Sequence, residues 1–403
     1  MSSVQRLLSA RGFSALATSY AINELGDNLG LIALAFLVLD RTGSALAVTA
    51  LFVVASVVPA FLAPALTAGL DHRPVGRVLP ALYLIEAGAF AALATVSGDA
   101  FMLGVVLALA FGDGLLALTA RGLSRGAIAA VLTPVGLLRE GNALINVIFA
   151  VTKAAGPVAA GVVVHEWSVA TALWLDAASF AAIAVLLLLS ARRLPRHEEG
   201  PRESWRARVT DGLSYVRNHP TVGRLIAGEA VAIVFFALVV PIEVVYVKES
   251  LDSTALGFGV LMAAWGVGIV LGSALFTRMR GQSLGTLVLA STAAIGLGYG
   301  IMAVSPTLLI ACLGSVVGGI GNGVQWVAVM TALQEAVEDQ YQARAAGLLE
   351  SAASAAPGVG FILGGVVTAA LSPRWAYAVS ALGVAVVVLV WARRPLVPDH
   401  ARV

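Results

Sequence analysis

The sequence predicts an all-α membrane protein with twelve transmembrane helices in two six-helix bundles. Three observations carry this prediction. First, 59% of the 403 residues are apolar, only 12% are charged, and the mean hydropathy is +0.92, whereas soluble domains are about 45–50% apolar and about 25% charged. Second, twelve apolar stretches have about the 20 residues that a helix needs to cross the hydrocarbon core. Third, one long polar segment, 191–220, divides these stretches into six and six.

The apolar stretches are continuous rather than alternating with period two, which favours helices over strands. No small-residue cleavage site follows the first stretch, so we interpret 13–38 as a retained span and not as a signal peptide. The breaks near 98–100 and 305 are short, and eleven spans are therefore an alternative. The predicted spans are 13–38, 44–68, 78–97, 101–120, 140–163, 169–190, 221–248, 254–278, 283–304, 306–333, 344–371 and 374–392.

Basic residues predict the orientation, because Lys and Arg are enriched in cytoplasmic loops. With both termini cytoplasmic, the inner loops and tails hold 21 of the 25 basic residues, including Arg121 and Arg125 after the fourth span. The outer loops hold only Arg41, Lys248 and Arg374. An odd number of spans would remove this asymmetry, so the charges support twelve. We therefore expect a multi-pass protein of the cell inner (plasma) membrane.

The predicted organisation is an N-terminal bundle over 1–190, a cytoplasmic linker over 191–220 and a C-terminal bundle over 221–403. Within the linker, apolar residues recur at helical spacing from Trp205 to Val216, with arginines between them. This pattern is typical of an amphipathic helix on the inner membrane surface. A solvated basic linker is an equal alternative, and both interpretations keep this segment cytoplasmic.

Several function classes are excluded by composition and motif context. A net charge of +2 provides no strong field to attract nucleic acids. The single cysteine, Cys312, permits neither an intrachain disulfide nor a thiolate metal cage. The string GQSLG (281–285) matches a hydrolase motif but follows no strand, and the glycines at 319, 321 and 323 lie inside an apolar span without a Walker lysine. We therefore expect no enzyme activity, no cofactor and no bound metal.

Similar strings occur at matching positions of the two halves. They are GNALINVIFAVTKAAGPVAAG (141–161) and AAGLLESAASAAPGVGFILGG (345–365), each in the fifth span of its half. Small residues allow helices to pack closely, and proline near the middle allows bending. Repeated halves are typical of a large class of transporters. We expect Gly156, Pro157 and Pro357 to act in gating, and close packing alone is the alternative.

The chain resembles the drug-, macrolide- and siderophore-efflux branch of the major facilitator superfamily. Besides the two strings above, the resemblance rests on ELGDNLGLIALAFLVLDRTGSALAVTAL (24–51), DGLSYVRNHPTVGRL (211–225) and LGFGVLMAAWGVGIVLGS (256–273). These segments are spread over nearly the whole length. The resemblance implies the major facilitator fold and transport by alternating access, and we expect a monomer.

The loop between the second and third spans departs from the pattern of this superfamily. There the usual G-x-L-x-D-R-x-G-R-R is replaced by TAGLDHRPVGR (67–77), which keeps an acid and two arginines at altered spacing. The resemblance implies a cytoplasmic gating latch of Asp71 with Arg73 or Arg77. Ordinary positive-inside charge is the alternative.

Several ionisable residues lie inside the predicted spans, where a charge costs roughly 2.5–3.5 kcal/mol on insertion scales. Glu24, Asp27, Glu86 and Asp113 lie in the first, third and fourth spans, and Lys153 lies in the fifth. As the only basic residue at that depth, Lys153 is expected to pair with one of the acids. Burial without a counter-charge favours the protonated form of a carboxyl group. The remaining acids could therefore bind and release protons.

The resemblance places the first, fourth, seventh and tenth spans around a central cavity. It therefore implies that Asp27, Glu24 and Asp113 take part in proton coupling, with Lys153 as a switch or as a structural ion-pair partner. Asp27 is the preferred candidate, because Gly26-Asp27 matches the efflux-branch pattern. Glu86 in the third span and Asp176 in the sixth are expected to be structural.

The tenth span carries polar and aromatic groups that suit substrate binding. Asn322 and Gln325 offer amides, and Trp326 offers a face on which cations stack. Hydrogen bonding between helices is the alternative. Acids around a cavity favour a cationic or amphipathic substrate.

Together these features predict a secondary active transporter that exports a small amphipathic or cationic compound of drug, macrolide or siderophore type, coupled to protons. A translocator of lipid or lysolipid and an uptake symporter are alternatives, and a non-transporting receptor or scaffold is a further one. The expected partners are the small-molecule substrate, protons and the lipid bilayer, with no nucleic acid.

Overall fold

The structure, a computed structural model, describes residues 6–7, 9–10, 12–70, 73–194, 214, 216–279, 282–337 and 341–393. In these ranges it contains twelve helices long and apolar enough to cross a membrane, and no β-strand. The predicted all-α class and the count of twelve spans are confirmed. The helices are α1 Phe13–Thr42, α2 Ala45–Leu70, α3 Val75–Val96, α4 Leu103–Leu132, α5 Leu138–Glu166, α6 Val169–Ser190, α7 Pro220–Ala237, α8 Ala255–Phe276, α9 Leu284–Val304, α10 Leu308–Ala336, α11 Gln342–Ala370 and α12 Pro373–Arg393.

Large apolar side chains cover the outer surface of these helices. Leu189 is 82% exposed, Val304 75% and Phe61 68%. Exposed apolar surface on this scale marks a region that contacts lipid. Helices suit such surroundings, because each satisfies its backbone hydrogen bonds within its own segment.

The helix α4 extends well beyond the predicted fourth span. The prediction ended this span at residue 120 and placed Arg121 and Arg125 in an inner loop, but α4 continues to Leu132. That placement was wrong, because two arginines lower the hydropathy without ending the helix. Arg121 therefore lies on a long helix near the other ionisable groups of the first half.

The chain divides into two compact units. Unit 1 comprises Met1–Gly43 and Ala50–Gly200, and unit 2 comprises Ser44–Thr49 and Pro201–Val403. The domain boundaries drawn from the sequence stay a prediction. The amphipathic helix predicted for the linker also stays a prediction, because 195–213 lies outside the described residues.

Within unit 1, α1 packs against α4, α5 and α6, and α3 packs against α6. Phe180 of α6 fills the contact with α3, with its ring centre 6.2 Å from that of Tyr83 and 5.4 Å from that of Phe90. These aromatic contacts hold α6 against α3.

Within unit 2, α10 packs closely against α8 and α9. A Cβ atom on Gly268 of α8 would lie 2.8 Å from the Cα atom of Gly319, so only glycine fits this crossing. The glycine run of α10 therefore serves helix packing. In the GQSLG string, Ser283 caps α9 by accepting a hydrogen bond of 3.1 Å from the backbone of Thr286.

The C-terminal part of the seventh span is irregular. After α7 come a 3₁₀ turn at Val240–Ile242, one α turn at Glu243–Val245 and a π turn at Tyr246–Ser250. Proline at 241 removes a backbone donor and so interrupts the helical hydrogen bonds. Glu243 lies in this broken part of the span.

Candidate functional site

An ion pair joins α1 to α4 in the interior of unit 1. Glu24 is fully buried, and its Oε1 accepts a hydrogen bond from Nε of Arg121. Nη2 of Arg121 also lies 3.7 Å from Oδ2 of Asp27. Residues three apart share one face of a helix, so Glu24 and Asp27 both face this arginine. One cation therefore serves two carboxylates.

Asp27 lies at the middle of α1 and is less enclosed than Glu24. Its Oδ2 accepts a hydrogen bond of 2.9 Å from Nδ2 of Asn23, and its Oδ1 is buried without a partner among the described residues. The side chain is 15% exposed, against 0% for Glu24. Asp27 is thus the more accessible of the two acids beside Arg121.

Lys153 lies at the middle of α5 and is exposed. Its Nζ donates a hydrogen bond of 3.1 Å to Oδ1 of Asn28 and lies 5.9 Å from the ring centre of Phe149. Nδ2 of Asn28 in turn donates to the backbone carbonyl of Glu24. Arg121 forms ion pairs with Glu24 and Asp27, whereas Lys153 contacts this amide and attracts the same two acids at longer range. An ion pair of Lys153 with an acid stays a prediction.

Gly156 positions α5 against α1. A Cβ atom on Gly156 would collide with Cβ of Asn28, so glycine is needed for this approach. Lys153, one turn earlier, then reaches the side chain of the same asparagine. Pro157 lies inside α5 next to this contact. The Gly156-Pro157 pair therefore sets the distance between Lys153 and the polar face of α1.

The fifth helix of unit 2 makes a similar contact with the first helix of its unit. A Cβ atom on Gly360 of α11 would collide with the backbone carbonyl of Val234 in α7. Pro357 lies inside α11 one turn before this glycine. A proline next to a close glycine contact is thus a feature of both halves, whereas gating by these residues stays a prediction.

Three further acids lie next to Asp27. Glu86 of α3 is fully buried, and both its carboxylate oxygens lack a hydrogen-bond partner among the described residues. Asp27, Asp113 and Asp176 are all close enough to Glu86 for charge–charge interaction. Asp176 accepts a hydrogen bond of 3.2 Å from Oγ of Ser179. Asp113 and Asp176 each keep one buried oxygen that has no partner in the described part of the chain.

The interior of unit 1 therefore holds more acids than cations. Five carboxyl groups stand against the two cations Arg121 and Lys153 in this network. The described residues contain no group of three or more side chains arranged to hold a metal ion. The five acids are Glu24, Asp27, Glu86, Asp113 and Asp176.

The polar residues predicted on the tenth span differ in exposure. Trp326 is 43% exposed and Asn322 is half-buried. Gln325 is 2% exposed, and its Nε2 lies 3.2 and 3.1 Å from the two carboxylate oxygens of Glu229 in α7. The side chain of Gln325 therefore forms hydrogen bonds with Glu229. This is the hydrogen bonding between helices that the sequence indicated as the alternative for this amide.

Two of the three predicted latch residues lie in the described part of the chain. Arg73 and Arg77 are both exposed near the start of α3. Asp71 lies outside the described residues. A latch between these groups stays a prediction.

Comparison with known proteins places this architecture in a family. The model of the family described as "transmembrane secretion effector" matches residues 4–402. The chain belongs to this family. It is thereby a member of the major facilitator superfamily, which confirms the resemblance seen in the sequence.

Similar proteins include the multidrug efflux pump Tap of Mycobacterium bovis and of Mycobacterium tuberculosis. Each is 28% identical over 394 residues, which cover 92% of this chain and 90% of the relative. Among solved structures, the nucleoside transporter NupG is similar with a TM-score of 0.71 and 14% identity, covering 94% of this chain and 98% of that one. A bacterial homologue of the lysosomal transporter Spinster, inward-facing and occupied, has a TM-score of 0.74 and 12% identity, covering 94% and 95%.

Membership of this family establishes the general activity. The chain is a multi-pass membrane transporter of small molecules and not an enzyme. The two structural relatives share its fold, and their low identity carries no information about its substrate. The alternative of a non-transporting receptor or scaffold is thereby set aside.

Proposed function

We propose that this transporter exports a small amphipathic or cationic compound in exchange for protons. The proposal rests on the surplus of carboxyl groups around α1 of unit 1, where five acids stand against the cations Arg121 and Lys153. Arg121 bonds directly to Glu24 and lies farther from Asp27. Asp27 is the principal proton-binding residue, because it is only partly compensated and is the more accessible of the two.

Water access to this region is supported by Lys153. An ionisable residue at mid-span faces a partner or a water-filled cavity rather than lipid. Lys153 is exposed at the middle of α5 and has an uncharged partner, Asn28. The side of unit 1 that carries Lys153 and Asp27 therefore faces water during at least part of the transport cycle, and protons reach Asp27 from there.

Competition for one negative charge couples the two fluxes. Ionised Asp27 attracts a cationic substrate, and a proton on Asp27 removes that attraction. Since Glu24 stays paired with Arg121, the single negative charge of Asp27 is neutralised in turn by a proton or by a monovalent cationic substrate. Asp113 lies close enough to interact with Asp27, and we assign it a supporting role in proton transfer.

The substrate class follows from chemistry and from the relative. An acidic site favours cations, and Trp326 provides an exposed aromatic face on which cations stack. Asn322, half-buried four residues earlier, is the proposed polar contact. The 28% identity to the multidrug efflux pump Tap supports export of varied compounds.

We also propose an arrangement in the membrane. The protein acts as a monomer in the inner membrane with both termini in the cytoplasm, as the distribution of basic residues favours. Alternating access uses bending at Pro157 and Pro357, and Asp71 with Arg73 or Arg77 stabilises one conformation.

Transport driven by a pH gradient tests this proposal. The protein is reconstituted in proteoliposomes, and accumulation of the lipophilic cation ethidium is measured after the lumen is made acidic. We expect the wild type to accumulate ethidium and the Asp27→Asn protein to lose gradient-driven accumulation, because asparagine keeps the shape and cannot bind the proton.

The matched control is Asp99→Asn, the same chemical change at an exposed acid between α3 and α4. This control should accumulate ethidium like the wild type. A response of Asp27→Asn equal to that of the wild type would show that Asp27 does not couple the fluxes. A wild type that exports ethidium without responding to the gradient would rule out proton coupling.

A further inference from the structure

Unit 2 contains a buried polar pair at the position that corresponds to the ion pair of unit 1. Glu24 and Arg121 join the first and fourth helices of the first half and are 97 residues apart. Glu229 and Gln325 join the first and fourth helices of the second half and are 96 residues apart. In each half, therefore, a glutamate on the first helix contacts a side chain on the fourth helix. The contacted side chain is an arginine in unit 1 and a glutamine in unit 2.

The two pairs differ in the states of glutamate that they can accept. Arginine has five N–H donors and no acceptor, so Arg121 stabilises only the ionised form of Glu24. An amide has both donors and an acceptor. Gln325 can donate to ionised Glu229, as the contacts of 3.2 and 3.1 Å allow. After rotation of its amide, it can also accept a hydrogen bond from protonated Glu229.

The surroundings of Glu229 contribute no compensating charge among the described side chains. Its carboxylate interacts with Gln325 and with no titratable group that the structure describes. The helix α10 carries Cys312 and Glu335, and the seventh span itself carries the further titratable residues Arg224, Glu243, Tyr246, Lys248 and Glu249. None of these described residues forms an ion pair with Glu229.

The other helices packed on α7 are α11 and α12. The titratable residues that the structure describes on α12 are Arg374, Tyr377 and Arg393, and none of them interacts electrostatically with Glu229. The side chains of Arg344 and Glu350 on α11 lie outside the described set.

Burial restricts the ligand that this pair can bind. Glu229 is 1% exposed and Gln325 is 2% exposed. An organic cation cannot reach a carboxylate that is enclosed to this degree, whereas a proton can. A buried carboxylate without a cation is costly, and binding a proton removes this cost.

We propose that the Glu229–Gln325 pair is a second proton-binding site, located in unit 2. A proton binds to one carboxylate oxygen of Glu229, and the amide of Gln325 reorients to accept the new O–H. The site binds its proton whether or not Asp27 couples transport, and only its use during the cycle depends on the proposed function.

Infrared difference spectroscopy of the full-length protein in lipid tests the proposal. The carbonyl band of protonated carboxyl groups is followed from about pH 5 to about pH 9, a range in which buried carboxyl groups titrate. We expect one component of this band to be lost in Glu229→Gln, which keeps the shape of the side chain. The same component should be lost in Gln325→Arg, because a guanidinium holds Glu229 ionised throughout.

Controls separate this site from the rest of the molecule. Glu335→Gln changes an exposed acid of the same helix as Gln325 and should leave the component unchanged. Asp27→Asn should also leave it unchanged, so a failure of proton-coupled transport does not remove it. Persistence of every component in Glu229→Gln would overturn the proposal. If Gln325→Arg does not fold, the isosteric Glu229→Gln alone decides.

Discussion

The interior of unit 1 and the interior of unit 2 manage buried acids in different ways. Unit 1 gathers five carboxyl groups around α1 and places a guanidinium against two of them. In unit 2 Glu229 bonds to an amide, and Glu243 interacts electrostatically with Tyr299 and Tyr377. The first and fourth helices are thus joined by an ion pair in unit 1, whereas in unit 2 the glutamate of the first helix has an uncharged partner on the fourth.

The two kinds of contact differ in whether the glutamate can change its protonation. A buried ion pair keeps both partners charged, and removing one partner leaves an uncompensated charge. A carboxyl–amide pair accepts a change of protonation with only a rotation of the amide. We infer that the Glu24–Arg121 contact holds α1 against α4, while Asp27 in unit 1 and Glu229 in unit 2 change their protonation.

The largest effect is expected from Arg121→Gln, which gives unit 1 the type of pair found in unit 2. Glu24 and Asp27 lose their common cation, and breaking a buried ion pair costs about 3–5 kcal/mol. The free energy of unfolding in mixed detergent micelles measures this loss. Arg125→Gln is the control, because Arg125 is exposed and its described contacts are with the hydroxyl and ring of Tyr20. Equal losses in the two variants would show that the Glu24–Arg121 contact is not special.

A smaller effect is expected from Gln325→Leu in unit 2. Leucine fills a similar volume and leaves buried Glu229 without its hydrogen bond to the amide, which costs about 1–3 kcal/mol. The same unfolding measurement applies. Gln282→Leu, at an exposed position before α9, should change the stability by less than about 0.5 kcal/mol. If Gln325→Leu is as stable as the wild type, the contact with Glu229 contributes nothing to the fold.

The sequence predicted the spans and the helix on which most ionisable groups lie, because both follow from hydropathy along the chain. Glu24, Asp27 and Lys153 lie on the predicted helices, near the middle of each. Arg121 was placed in a loop, since an arginine ends an apolar window even where the helix continues. Which helix faces meet is not encoded in hydropathy.

The partner of Gln325 shows the same limit. Amide and indole groups on one span suggested a substrate contact, but Glu229 lies 96 residues earlier and only packing of α7 on α10 brings the two together. Comparison of spacing between the halves is a signal that could have found this pair. Such a comparison first requires the pair of unit 1, Glu24 with Arg121. That pair was not found in the sequence, because Arg121 was placed in a loop.

The smallest effect on stability, and the most informative on function, is expected from Lys153→Met. Lys153 is exposed and its described hydrogen bond is to the uncharged Asn28, so its loss should cost less than about 1 kcal/mol. Its charge nevertheless attracts Glu24 and Asp27, and its removal should impair pH-gradient-driven accumulation of ethidium. Unfolding and transport measured on the same preparation separate the two roles. A loss of stability as large as that of Arg121→Gln would instead make Lys153 a structural partner. The polar face of α5 would then stabilise the fold together with the Glu24–Arg121 contact between α1 and α4.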